Sequence, residues 1–404
     1  MASPLSPTAP SDRIEFLDIL RGFALFGILV VNIPYMAAPF SALLAGRPLF
    51  QDPLNLFAHG FIRFFFEGSF YVLFSFLFGV GLHLFFKRAR AAGVSGGGRY
   101  ARRLGILALF GILHITLLWY GDILLVYAIF GSFVLLLRQR RSRTLLYWAG
   151  GLASIPVLAT AALAGLLALG QAHPESAAEI AAVLAAQEAE LLRATTEALL
   201  VYAYGTFPEI VAVRLSEYAG TLPGFIFFFP VVPAMMLLGI VFGRKGWLSD
   251  LRAHAPLYQR GLLYCLPVAL LGKGLYVWAS FHSTQLFPTG ISVLGTLALV
   301  LGGPASAFVY LCLLRHALLA APRHPLLRHL AATGRLALTH YILQSIILTT
   351  LLYSYGFALY GRLDIKTGLL LALLLFSLQL LLSPLWLTRF PRGPLEALWR
   401  RLTY

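Results

Sequence analysis

The stretch Phe16-Leu17-Asp18-Ile19-Leu20-Arg21-Gly22 sets an acid and a base inside an apolar run that continues to Val31 and ends at Asn32. Ionised groups in such a run are costly unless they pair or face a cavity. Asp18, Arg21, Leu25, Ile28 and Asn32 recur every three or four residues, so they share one helical face. Two chemistries suit that face. One is an Asp18–Arg21 ion pair that ties the helix to a neighbour. The other is anion binding, in which Arg21 holds a phosphate while Asp18 fixes its rotamer.

A second constellation surrounds His114, in Gly111-Ile112-Leu113-His114-Ile115-Thr116-Leu117-Leu118-Trp119-Tyr120-Gly121-Asp122. Asp122 follows a glycine turn, and Glu67 is expected at similar depth from another span. An imidazole beside carboxylates can act as a general base of fixed tautomer, or take up an acyl group transiently. A buried, merely hydrogen-bonded histidine is the plainer reading. Glu67 can instead pair with Arg63, and His59 is a rival histidine eight residues before Glu67. The four groups lack HExxH or any other ligand spacing, so no metal is assigned to them. Arg103 precedes His114 by eleven residues, about three turns and about 16 Å along one face. Two helices therefore each carry an inner arginine and an outer polar group. Arg335, His340 and Gln344 extend the pattern near the C-terminus; Thr and Gln there can also simply join membrane helices.

These groups require spans to hold them. The 404 residues are 59% hydrophobic and 12% charged, with a mean hydropathy of +0.81. Soluble domains are about 45–50% apolar and about 25% charged, so the chain is an integral membrane protein. Apolar runs near twenty residues match a hydrocarbon core of about 30 Å and indicate an all-α bundle. Ten spans are expected, near 17–37, 62–86, 104–120, 122–138, 145–170, 222–243, 260–280, 291–314, 336–355 and 368–388. Met1–Ser11 lacks a basic signal-peptide region, so the first span is expected to be retained. Basic clusters such as Lys87–Arg103, Arg138–Arg143, Arg244–Arg260 and Arg315–Arg335 alternate with poorly basic connections. That bias places both termini in the cytoplasm.

The net charge of +15 therefore sits between spans and does not imply nucleic acid. Cys265 and Cys312 lie in apolar runs, with no disulfide framework or CxxC metal site. Gly96-Gly97-Gly98 lacks the Lys-Ser or Lys-Thr of a phosphate loop and reads as a flexible linker. The whole chain, 1–404, reads as one transmembrane bundle. Its alanine-rich segment 171–221, carrying Glu175, Glu179, Glu188, Glu190 and Glu197, is expected to form an extracytoplasmic helical insertion, a spacer or a cover over an acceptor site. Residues 389–404 read as an amphipathic cytoplasmic tail on anionic lipid.

Four blocks, Phe16–Asn32, Phe66–Gly79, His114–Gly131 and Gly334–Ser345, closed by Arg392–Arg401, resemble the YeiB-like family of bacterial inner-membrane proteins, a domain of unknown function. That family is similar to the transmembrane acyltransferase superfamily, in which a cytoplasmic acyl-CoA donates its acyl group to an acceptor across the membrane. The polysaccharide branch has an arginine followed by ten residues and a histidine; here Arg21 is followed by ten residues and Asn32. The heparan-type branch has asparagine there and a catalytic histidine shortly afterwards, a position approached by His59. The resemblance thus leaves His59 and His114 both open.

The expectation that follows is acyl transfer from acyl-CoA, with acetyl-CoA foremost, to a hydroxyl or amine of an extracytoplasmic glycan, lipid or small molecule. Arg21, Arg102, Arg103, Arg335 and His340 would hold the donor. Asn32 would position the thioester, and His114, with Asp122 and Glu67, would serve as base. Membrane lipids and a possible second copy of the chain complete the expected partners. The alternative is a transporter of a lipid or amphipathic molecule, and a purely structural role would leave no path between Arg21 and His114.

Overall fold

A computed structural model describes residues 14–46, 48–283 and 287–403; the leading segment Met1–Ser11 lies outside the described residues. Every regular element among them is a helix. In chain order these are α1 (Glu15–Ala37), α2 (Phe40–Leu44), α3 (Pro53–Phe65), α4 (Phe70–Ala91), α5 (Gly97–Leu117), α6 (Leu124–Leu137), α7 (Ser142–Gln171), α8 (Pro174–Tyr204), α9 (Phe207–Gly220), α10 (Gly224–Phe227), α11 (Val231–Lys245), α12 (Ala255–His282), α13 (Gly290–Ala320), α14 (Pro325–Arg335), α15 (Ala337–Leu352), α16 (Ile365–Arg389) and α17 (Pro394–Thr403).

Among the described residues seven segments are long and apolar enough to cross a membrane: α1, the stretch Pro53–Ala91 that joins α3 and α4, α5, α7, α12, α13 and α16. The pair α14–α15, bent by 83°, would make an eighth. The ten-span count needs α6 and α11 as well, and these have only 14 and 15 residues. At 1.5 Å per residue they reach about 21–23 Å, short of a core of about 30 Å. The run at 222–243 is divided because α10 ends at Phe227, before Pro230 opens α11. Residues 62–86 are not one uninterrupted helix either. They are broken at Phe66–Ser69, where Gly68 takes the left-handed φ of 77°, a conformation glycine adopts at little cost.

The helix α1 is the axis of the bundle: 72% of its most apolar window is buried, against 11% for α7. Close crossings use glycine. A Cβ at Gly22 would overlap the Leu330 carbonyl of α14, and one at Gly334 would overlap the Asp18 carbonyl of α1. Such contacts let backbones approach where lipid supplies no hydrophobic drive. They also seat the Asp18–Arg21 turn against the turn that carries Arg335.

Helix starts follow local chemistry. The carboxylate of Asp52 accepts from the Asn55 N–H at the start of α3, and that of Asp364 accepts from the Thr367 N–H at the start of α16. Segment 171–221 is helical, as α8 and α9. They part at Gly205, and a Thr206–Glu209 capping box restarts the chain as α9. The amphipathic tail is α17, whose Trp399 indole N–H donates to the Arg103 carbonyl of α5 at 3.0 Å.

Candidate functional site

The end of α5, the loop that follows it and the middle of α15 bring three side chains into one buried row. His114 Nδ1 lies 3.1 Å from Asp122 Oδ1, and both side chains are wholly enclosed. On the other edge of the ring, His114 Nε2 is 2.8 Å from Ser345 Oγ. The Asp122 loop position is set by the turn after α5. Asp122 Oδ2 accepts from the Leu125 N–H at 2.6 Å and so begins α6, while Oδ1 remains for the imidazole. The Nδ1···Oδ1 approach lies off the ideal hydrogen-bond line, yet neither atom has another partner.

Proton placement follows from the donor inventory. An N–H at Nδ1 facing the carboxylate leaves the Nε2 lone pair to accept from Ser345 O–H. The other acceptor open to that hydroxyl, the Tyr341 carbonyl, is farther away at 3.4 Å. The Tyr341 ring lies against the imidazole with centroids 5.1 Å apart, and Trp119 meets it edge-on at 6.5 Å. The Trp119 indole N–H is buried and without an acceptor. Serine, histidine and aspartate in this order are the parts of a nucleophile activated by an oriented base.

Glu67 is not part of this row. It sits at the α3–α4 break, accepts from Tyr35 O–H at 3.1 Å and lies 3.8 Å from Arg63 Nε. The Lys273 ammonium donates to its main-chain carbonyl. The break turns Glu67 toward α1 and α12, away from the imidazole. His59 is buried elsewhere, beside a cavity of about 10 Å³ lined also by Pro34, Ala38, Phe50, Leu363 and Ile365. That is room for about one water. Asn32 is half-buried on α1, one turn before Tyr35.

The basic groups gather at the opposite end of the bundle. Arg21 bonds Asp18 at 2.9 Å with about a third of its side chain exposed. Arg102 is exposed. The Arg103 guanidinium stacks 3.8 Å from the Trp399 ring, and Arg335 donates to the Pro391 carbonyl at 3.3 Å. His340 lies deeper and is held by Ser383 Oγ at 2.8 Å, while Gln344 donates to Gln379 at 2.8 Å. One face of α15 thus addresses α16 with His340 and Gln344. The neighbouring face addresses His114 with Tyr341 and Ser345. Sequence reasoning also missed a basin of about 430 Å³ at the α6–α7 turn, lined by Gln139, Arg140, Arg141 and Trp148. Neither this basin nor the small cavity touches Arg21 or His114.

Helix α9 packs against α5, the helix that carries His114. The Arg214 guanidinium of α9, fully buried, donates through Nη1 to the Thr116 carbonyl at 2.6 Å, two residues beyond His114. Glu217 accepts from Tyr202 O–H at 2.6 Å and from the Phe40 N–H at 2.8 Å. Burial pushes its carboxyl up to about 7. Burial first, and the Asp122 charge second, also raise the Tyr218 hydroxyl.

Over its whole length the chain is 31% identical to YxaH of Bacillus subtilis, covering 97% of that protein. It is 30% identical to YeiB of Escherichia coli, with 97% of this chain and 96% of the relative aligned. The chain belongs to the YeiB-like family. The family of proteins of unknown function DUF418 matches residues 242–404. A 39.9 kDa protein encoded in the amylase 3′ region of Bacillus acidopullulyticus is 28% identical over 99% of the chain. All three relatives are described as uncharacterized. No solved structure matches the chain. In this YeiB-like chain the DUF418 match contains Ser345, whereas His114 and Asp122 lie before it. Ser345 ends the block Gly334–Ser345 read from sequence, but its only signal there was a hydroxyl one residue after Gln344.

Proposed function

We propose that the protein is a membrane acyltransferase in which Ser345, His114 and Asp122 pass an acyl group from acyl-CoA to an acceptor hydroxyl or amine. The observation that carries this reading is the row Ser345 Oγ, His114, Asp122, with successive separations of 2.8 and 3.1 Å. Because Ser345 occupies the Nε2 edge of the base, a serine-bound intermediate suits this geometry better than direct attack by the acceptor.

In the first half-reaction His114 Nε2 takes the Ser345 proton as Oγ attacks the thioester carbonyl. A C–O bond forms, the C–S bond breaks, and the proton passes from His114 to the departing CoA sulfur. In the second, His114 deprotonates the acceptor, which attacks the serine ester. The acyl C–O(Ser345) bond breaks and Oγ recovers a proton from the imidazolium. Asp122 stabilises that imidazolium in both halves, and the Trp119 indole N–H can donate to the oxyanion.

Arg21, Arg102, Arg103 and Arg335 supply cations for the phosphates of a cytoplasmic donor, with acetyl-CoA as the first to test. The acceptor enters from the extracytoplasmic end, beneath α8 and α9, and the protein resides in the bacterial inner membrane. Transport of an amphipathic molecule is the second reading. It draws on the buried row in which Thr333 donates to Ser383, His340 bonds Ser383, and Gln344 donates to Gln379, since such rows can relay protons.

The test is purified protein in lipid nanodiscs with acetyl-CoA. Appearance of free thiol, together with an acyl mass addition on the peptide containing Ser345, supports acyl transfer. Substrate flux without thioester cleavage would refute it in favour of transport.

A further inference from the structure

Arg214 is the largest charged side chain fully enclosed among the described residues, at 0% exposure, and the mechanism above does not use it. Its Nη1 is committed to the Thr116 carbonyl. Its Nε and Nη2 are buried and have no hydrogen-bond partner. These two nitrogens form the side edge of the guanidinium, the edge whose parallel N–H bonds match two oxygens of a carboxylate or phosphate. Glu217, one turn along α9, does not fill it. Its two oxygens are taken by Tyr202 O–H and the Phe40 N–H, so although the Arg214 charge is near enough to favour its ionised form, it makes no ion pair with Arg214 among the described residues. The Tyr353 ring lies 5.7 Å from the guanidinium and supplies an aromatic face, not an acceptor.

A charge removed from water without a counterion is strongly disfavoured, whereas an arginine aimed at an anion recovers that cost when the anion binds. We infer that the free Nε/Nη2 edge of Arg214 is a binding site for an oxyanion, a carboxylate or phosphate carried by the acceptor molecule. Arg214 is anchored to α5, the helix that carries His114, through its bond to the Thr116 carbonyl. Thr116 is two residues from His114, so the guanidinium is held at the same end of α5 as the base. An acceptor held by its anion at Arg214 would present a neighbouring hydroxyl or amine to the acyl-serine. Assigning the anion to the acceptor rests on the acyl-transfer reading; oxyanion binding at Arg214 does not.

The experiment uses the full chain in maltoside detergent and measures thermal stabilisation by inorganic phosphate, by acetate and by added phosphatidylglycerol. Wild type should be stabilised by at least one probe, and R214Q and R214K should need about tenfold more of it, because lysine keeps the charge but loses the paired donors. Stabilisation by phosphate or acetate identifies a soluble oxyanion, and stabilisation by phosphatidylglycerol alone identifies a lipid headgroup. Equal responses of wild type and both variants, or no response to any probe, would overturn the proposal. Should the variants fail to fold, hydrogen exchange of wild-type residues 207–220 decides: the effective probe must slow exchange there, and unchanged exchange refutes the site. S345A should keep the anion response while losing thiol release. An anion response in a wild-type protein that releases no thiol would leave this site standing and remove acyl transfer.

Discussion

Replacing Glu217 with glutamine should flatten the dependence of stability on pH. The carboxyl is 9% exposed, and burial raises it from 4.5 to about 7. Between these values the folded protein holds a proton that the unfolded chain has released, so stability falls as pH rises from about 4.5 to about 7 and is level above that. The rise corresponds to about 3 kcal/mol. At about 1–2 °C per kcal/mol for a chain of this size, the wild-type melting temperature should drop by about 3–6 °C across the interval on this account. E217Q keeps an oxygen for the Phe40 N–H and a near-identical shape, so its curve should lose that share of the slope. The assay is thermal unfolding in detergent at fixed ionic strength from pH 4.5 to 8, with wild type and E217Q side by side. Identical slopes would show that Glu217 does not hold its proton in the folded state and would refute this reasoning.

Three further outcomes follow. S345A and H114Q should each cut thiol release from acetyl-CoA by about 10³-fold or more, and D122N by about 10⁴-fold, with unchanged elution on size exclusion; the acyl adduct should vanish in S345A. G334L should destabilise the bundle by about 3 kcal/mol or more, because its side chain must displace the Asp18 backbone of α1, and reduced monodisperse yield and melting temperature would register it. W399A removes the ring stacked on Arg103 and should cost about 0.5–2 kcal/mol while loosening α17, measured as faster hydrogen exchange over 394–403.

Much of the architecture was legible because a bilayer makes simple demands. Apolar runs of sufficient length must be helices, since backbone groups have no other partners in hydrocarbon. The Asp18–Arg21 pair, the Arg63–Glu67 pair and the proximity of His114 to Asp122 were readable because each is local in sequence. Helix length was less legible: α6 and α11 end early at turns and prolines that apolar counting overlooks. Glu67 misled for a similar reason. Gly68 permits a break there, and the break rather than a continuous helical face sets its direction.

Sequence by itself determined that this is an all-helical membrane protein of the YeiB-like kind, with basic groups at one end and a histidine–aspartate pair at the other. Only the tertiary structure decided that Ser345, 231 residues away, completes that pair, and that Arg214 is buried against Thr116 of the same helix with a free edge. Helical periodicity assigns a residue to a face, but which faces meet depends on how α15 is bent from α14 and how α9 settles on α5. Those choices are made by packing across the whole chain, where glycine crossings and buried polar contacts must be satisfied together.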